Sequence, residues 1–114
     1  MLKHFKLQEF ACPCCGQNSM DGEFIQTLDA VREDLGVALH VNSGFRCVKH
    51  NKEVGGKDES YHLKGRAVDI SVMNMTARKR FEFIKAIVGR FTGVGIAKTF
   101  VHMDDRDLPA LWIY

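Results

Sequence analysis

From Asp21 onward the apolar residues Phe24, Ile25, Leu28, Val31 and Leu35 recur at helical spacing, which marks one buried face of an amphipathic helix. Asp21 supplies a capping oxygen before the first turn, and Gly36 a stop. Val37 to Val41 reads as a short strand that runs into a turn at Asn42-Ser43-Gly44. The pattern from Phe45 to Leu63 is irregular and charged, with Gly55-Gly56 inside it, and predicts a long loop of the kind that often carries function. Between Arg66 and Val72 the period changes to two: Val68, Ile70 and Val72 face one way, Ala67, Asp69 and Ser71 the other. Thr76 is expected to cap a second helix with Phe81, Ile84, Ile87 and Val88 on its apolar side, ending near Gly89. Two strands follow, at Val94 to Ile96 and Thr99 to Asp104. In the second, Val101 and Met103 lie opposite Phe100, His102 and Asp104. The apolar end Leu111-Trp112-Ile113-Tyr114 predicts a last edge strand. The sum is a small α+β fold, one domain over residues 1–114, with helices on one side of a largely antiparallel sheet.

A chain of 114 residues can bury one core without staples. Its net charge of +2 is too slight to argue for nucleic acid as a partner, and a monomer is expected. No apolar run is long enough to span a bilayer, so membrane insertion is not expected. Met1-Leu2-Lys3-His4-Phe5-Lys6 leads into no apolar stretch or small-residue cleavage site, and synthesis in the cytoplasm is the expectation. Of the four cysteines, Cys12, Cys14 and Cys15 crowd together and Cys47 stands apart. A structural zinc usually shows a second C-x-x-C half or equivalent histidines, and none follows. Reduced thiols are the preferred reading. A disulfide from Cys47 or a second metal stays open, and no function is placed on these residues.

The chemistry concentrates in His62, Asp69 and His102. Strand alternation turns Asp69 and His102 away from their apolar neighbours, so on adjacent strands they can converge on one cleft. His62, at the end of the long loop, can reach the same place, with Gly65 letting the chain turn. Two imidazoles and a carboxylate suit Zn²⁺ and leave a fourth position for water, as a catalytic rather than a structural zinc requires. Taken singly, each histidine also fits an ordinary surface or core position, and Asp69 fits a cap or an ion pair.

Further motifs narrow the choice. Ser43-Gly44-Phe45-Arg46, His50-Asn51, Val54-Gly55-Gly56, Ser60-x-His62 with Gly65, Ala67 and Asp69, and Phe100-Val101-His102-x-Asp104-x-Arg106 occur in that order. Together they resemble the zinc D-alanyl-D-alanine carboxypeptidase family, whose relatives include phage endolysins, vancomycin-resistance dipeptidases and the metal-binding domain of hedgehog proteins. The resemblance runs from about Phe5 to Trp112. It implies that His62, Asp69 and His102 are zinc ligands in a cleft, that Arg46 binds substrate and stabilises its carbonyl or oxyanion, and that Ser60 contacts substrate. A guanidinium fixed beside a metal is well placed for developing negative charge. Two plainer roles stand beside these: a salt bridge for Arg46 and a turn for Ser60.

The sequence departs from the resemblance at the general base. Some relatives carry Glu three residues, or His two residues, before the last ligand, where this chain has Thr99 and Phe100. Asp104, on the same strand face as His102, is the nearest substitute. Its alternative is to pair with Arg106 or brace a ligand. His50 is a weaker candidate.

The implied activity is zinc-dependent hydrolysis of an amide in a peptidoglycan stem peptide, by a D-Ala-D-Ala carboxypeptidase or a cell-wall endopeptidase of the phage lysis type. Such an enzyme would be made in the cytoplasm and act on the wall after release. The alternative is a non-catalytic, zinc-containing cell-wall-binding or phage structural domain. The basic residues Arg78, Lys79, Arg80, Lys85 and Arg90, on or near the second helix, read first as a solvated face and second as a contact for an anionic cell wall.

Overall fold

The computed structural model describes residues 2–114. In chain order the elements are α1 (Gly22–Leu35), β1 (His40–Ser43), α2 (Val48–Glu53), β2 (Ala67–Ser71), α3 (Ala77–Val88), β3 (Gly93–Ile96), β4 (Phe100–Asp104) and β5 (Ala110–Ile113). Single 3₁₀ turns stand at Leu7–Phe10 and Tyr61–Lys64.

Helix α1 forms where its apolar stripe predicts. The Asp21 carboxylate accepts the Phe24 N–H at 3.0 Å, satisfying a first-turn donor that has no partner within the helix. Gly36 closes the other end in a left-handed conformation. Thr76 caps α3 by accepting from Lys79 N at 3.1 Å, and the buried face of α3 is the expected one only in part: Ile87 is in the core and Ile84 packs against it. Phe83 and Ile87 are buried, while Phe81 is 67% exposed and Val88 is also exposed. Phe83 and Ile87 are four residues apart and share a helix face; Phe81, two residues before Phe83, points round the other side.

The first strand also begins later than expected. His40 pairs with Ser71, the last residue of β2, so residues 37–39 have no ladder partner and Leu39 drops into the core instead. The predicted loop from Phe45 to Leu63 contains α2 and the second 3₁₀ turn. Six polar-rich residues give no amphipathic period, which hid α2 from the pattern.

The five strands lie in the order β1-β2-β4-β3-β5. All neighbours pair antiparallel except β5, which runs parallel to β3 on the sheet edge. On one face Val68, Ile70, Val94, Val101 and Met103 join Ile25, Leu28, Val31, Phe83 and Ile87 in a single core. The helices α1 and α3 thus cover that face, giving the expected α+β layering. The N-terminal segment is tied to α1 through Asp29, whose buried carboxylate accepts Lys3 N and His4 N, each at 2.9 Å. No helix among the described residues is long and apolar enough to cross a membrane.

The other face carries the chemistry, and the ladder register places it. Ser43 pairs with Asp69, Asp69 with His102, His102 with Gly95 and Gly95 with Trp112. One row thus crosses all five strands, and directly opposed residues share a face. Gly95 has a steric reason to lack a side chain: a Cβ there would sit 2.4 Å from Trp112 Nε1.

Candidate metal centre and its cleft

Asp69 and His102 come from the middle of this row. His62 arrives from the second 3₁₀ turn, which Ser60 starts by accepting the His62 N–H at 3.2 Å. Gly65 ends it with φ 70°. A side chain at Gly65 would also strike Ser19 O at 1.9 Å, so the sharp exit that aims His62 requires glycine twice over. Ligand atoms of His62, Asp69 and His102 all lie within 4.8 Å of one another, and all three residues are buried.

The ring nitrogens are sorted as a metal needs them. His62 Nδ1 is 2.8 Å from Gly44 O, so it carries the proton and donates, leaving Nε2 to face Asp69 Oδ1 at 3.4 Å. His102 Nε2 is 2.7 Å from Asp104 Oδ2, and its Nδ1 faces the same Asp69 oxygen at 2.9 Å. Each imidazole is thus held from behind by an acceptor, and its other nitrogen points into the cluster. The donor set of two nitrogens and one carboxylate oxygen, braced in this way, fits a zinc ion with a position to spare. Burial opposes charge on these groups, yet the contacts with His102 and His62 hold Asp69 well below the usual carboxylate range. Burial likewise opposes the imidazolium of His102, but Asp104 and Asp69 raise its pKa above the ordinary value.

Asp104 is fully buried. Its Oδ1 accepts Arg106 N at 3.1 Å and Arg106 Nε at 2.9 Å; its Oδ2 accepts Arg106 Nη2 and His102 Nε2, both at 2.7 Å. Burial opposes the carboxylate, but Arg106 and His102 hold it well below the usual range. Both oxygens are committed. This geometry matches the bracing role for Asp104 rather than that of a base with a free lone pair.

Arg46 is fixed by three bonds. Nε donates to Ser43 Oγ at 3.0 Å, Nη1 to Asn51 Oδ1 at 3.2 Å and Nη2 to Asp69 Oδ2 at 3.3 Å. The Ser-Gly-Phe-Arg and His-Asn motifs thus meet in space, with Asn51 buried in α2 as the steadying partner. The ion pair with Asp69 is present, and Arg46 also lines the open cleft. Ser60 likewise both starts its turn and lines the cleft. His50 does not line it; its ring lies 4.0 Å from Glu53 on α2.

The cleft above the three ligands has a volume of about 770 Å³, within the range of small-molecule and peptide sites. Its walls include residues that sequence reasoning passed over: Tyr61, Glu59, Trp112 and Tyr114. The Trp112 ring lies 5.4 Å from that of His102, with the Arg106 guanidinium 4.6 Å from the Trp112 centroid. Alternation along the last strand places Trp112 and Tyr114 on one face, but only the register reveals that this face is the cleft. The basic residues of α3 take no part. Arg78 and Lys79 face Glu82, and Arg80 donates to Val72 O.

Comparison with curated proteins finds no match. A family model described as Peptidase M15 matches residues 3–104, which spans the N-terminal segment, all three candidate ligands and Asp104. The chain therefore belongs to the peptidase M15 family, a family of metallopeptidases.

Proposed function

We propose that this protein is a zinc-dependent hydrolase of an amide bond in peptidoglycan stem peptides. The observation that carries the reading is the convergence of His62, Asp69 and His102 on the floor of an open cleft, beside a guanidinium fixed by three bonds. His62 Nε2, His102 Nδ1 and an oxygen of Asp69 would hold the zinc, which supplies a Lewis acid and a water acidified to near neutrality. Gly44 O and Asp104 fix the proton on the outward nitrogen of each imidazole, keeping the inward lone pairs free for the metal.

Arg46 is prepaid for its task. Ser43 and Asn51 set the plane of its fork before substrate arrives, so stabilising a developing oxyanion costs no reorganisation at that moment. Trp112, Tyr61 and Tyr114 offer flat apolar walls for a peptide, and Arg46 and Lys57 offer charge for its carboxylates. Of the cleft carboxylates, Asp69 and Asp104 are engaged; Glu59 is exposed and makes no hydrogen bond or ion pair among the described residues. We assign the proton-accepting role to Glu59. The resemblance to phage lysis enzymes supports synthesis in the cytoplasm and action at the wall after release.

The test is digestion of purified peptidoglycan by the zinc-loaded protein, with fragments identified by mass spectrometry and a chelator as control. Chelator-sensitive release of stem-peptide fragments is expected, and their masses name the bond. A folded, zinc-containing protein that releases nothing would overturn the hydrolytic reading in favour of a wall-binding domain.

A further inference from the structure

The thiols of Cys12, Cys14, Cys15 and Cys47 lie outside the cleft, yet they converge. Their sulfur atoms all lie within 4.8 Å of one another. Cys47 Sγ is 3.7 Å from Cys12 Sγ and 3.5 Å from Cys14 Sγ. A disulfide would need about 2.05 Å, and all four cysteines are free. A zinc–thiolate bond is about 2.3 Å, so a tetrahedral tetrathiolate site sets its sulfurs about 3.8 Å apart. The two separations are close to that edge.

The backbone is built to present them. Cys12 N donates to Gln17 O at 2.8 Å and Gly16 N to Cys12 O at 2.7 Å, closing a tight knuckle around the three neighbouring thiols. Gly16 takes the left-handed conformation this knuckle needs, with φ 76°. Cys47 comes from 35 positions further along the chain. Its sulfur accepts the His50 N–H at 3.4 Å, which fixes where the thiol sits at the start of α2. The missing second half of a zinc motif is thus a single residue supplied by the fold.

We propose that Cys12, Cys14, Cys15 and Cys47 form a second, structural zinc site. Four protein ligands close the coordination sphere, so the site holds structure and does no hydrolysis. Cys47 directly follows Arg46, and one residue further back Phe45 N donates to Phe10 O at 2.8 Å. The metal therefore staples the N-terminal segment to the stretch of chain that delivers Arg46 to the cleft. The inference stands on the thiols alone and does not rest on the hydrolytic reading.

Metal analysis of protein purified without chelator tests it, alongside Cys14→Ser/Cys15→Ser and His102→Ala variants. Both mutated cysteines are exposed, so the fold should tolerate serine there. Two zinc ions per chain are expected in the native protein and one in each variant. Cobalt loading gives a second readout: a thiolate-to-cobalt charge-transfer band in the native protein and in His102→Ala, absent from the cysteine variant. Should the cysteine variant be insoluble, the cobalt spectrum of His102→Ala decides alone. Absence of that band from folded, reduced protein, or a disulfide among these four cysteines after anaerobic purification, would overturn the proposal.

Discussion

Asp104→Asn separates the two roles that Asp104 can play, and the structure sets the size of each effect. The substitution keeps the shape and removes one acceptor. If the new amide NH₂ faces His102, Nε2 must become the acceptor and the proton moves to Nδ1, the nitrogen turned toward Asp69 and the cluster. If the amide oxygen faces His102, the NH₂ meets Arg106 N and Nε, which are donors too. Neither orientation satisfies both neighbours. Loss of a carboxylate behind a metal-binding histidine typically lowers affinity about 10–100-fold, or about 1.4–2.7 kcal/mol. The metal-free protein loses a buried ion pair as well. Breaking such a pair costs about 3–5 kcal/mol when both partners are enclosed. Here the Arg106 side chain is 31% exposed and can turn to water, so about 2 kcal/mol is the expected loss. Competition with a chromophoric chelator measures the first quantity, and urea unfolding of the metal-free protein the second. Unchanged zinc affinity together with a 10²–10⁴-fold fall in turnover, the size expected for a lost general base, would refute the bracing role and make Asp104 the proton acceptor.

Glu59→Gln should lower turnover about 10²–10⁴-fold with zinc content unchanged, read by peptide hydrolysis and metal analysis on the same sample. Arg46→Lys keeps the charge but loses the fork to Ser43, Asn51 and Asp69; turnover at saturating zinc should fall about 10–100-fold, and a native rate would remove Arg46 from the oxyanion role. Gly95→Ala pushes a Cβ against Trp112, the single tryptophan; its fluorescence should shift and stability fall by about 1–3 kcal/mol, whereas unaltered emission would dispute the packing. Asp29 gives a pH signature. Burial alone would raise its pKa, but the N–H groups of Lys3 and His4 overrule it and hold the carboxyl below its ordinary value. A folded pKa below the unfolded one means that its contribution is present above about pH 4 and is lost as the pH falls. The stability gap between wild type and Asp29→Asn, measured by urea unfolding from pH 6 to pH 3, should therefore narrow on acidification.

What was legible in the sequence follows from which interactions are local. The stripe of α1, its Asp21 cap and the alternation of β2 and β4 are set by residues within a few positions, and each appears where the pattern places it. The turning of Asp69 and His102 away from the core was legible for the same reason. Where a partner decides, the pattern fails. The start of β1 depends on where β2 ends, and the buried face of α3 depends on which stripe meets α1 and the sheet. Asp104 shows the limit most clearly. Alternation places it beside His102, but only its burial and its four bonds to Arg106 and His102 distinguish a brace from a base.

The cysteines carry that lesson furthest. Three thiols in four residues make an incomplete motif, and a fourth 32 residues beyond the last of them gives a linear reading no reason to join them. The join is made by the same contacts that form the cleft. The Phe10 carbonyl holds Phe45, the Gly44 carbonyl holds His62, and His62 O accepts the Arg46 N–H at 3.1 Å. From Gly44 to Cys47, consecutive residues bind the N-terminal segment on one side and the candidate metal ligand on the other. A substituent at Gly44 would strike Phe10 O at 2.6 Å, so this seam tolerates little displacement. Loosening the thiol cluster should therefore be felt at Arg46 before it is felt in the sheet, whose five strands and apolar core are assembled without it.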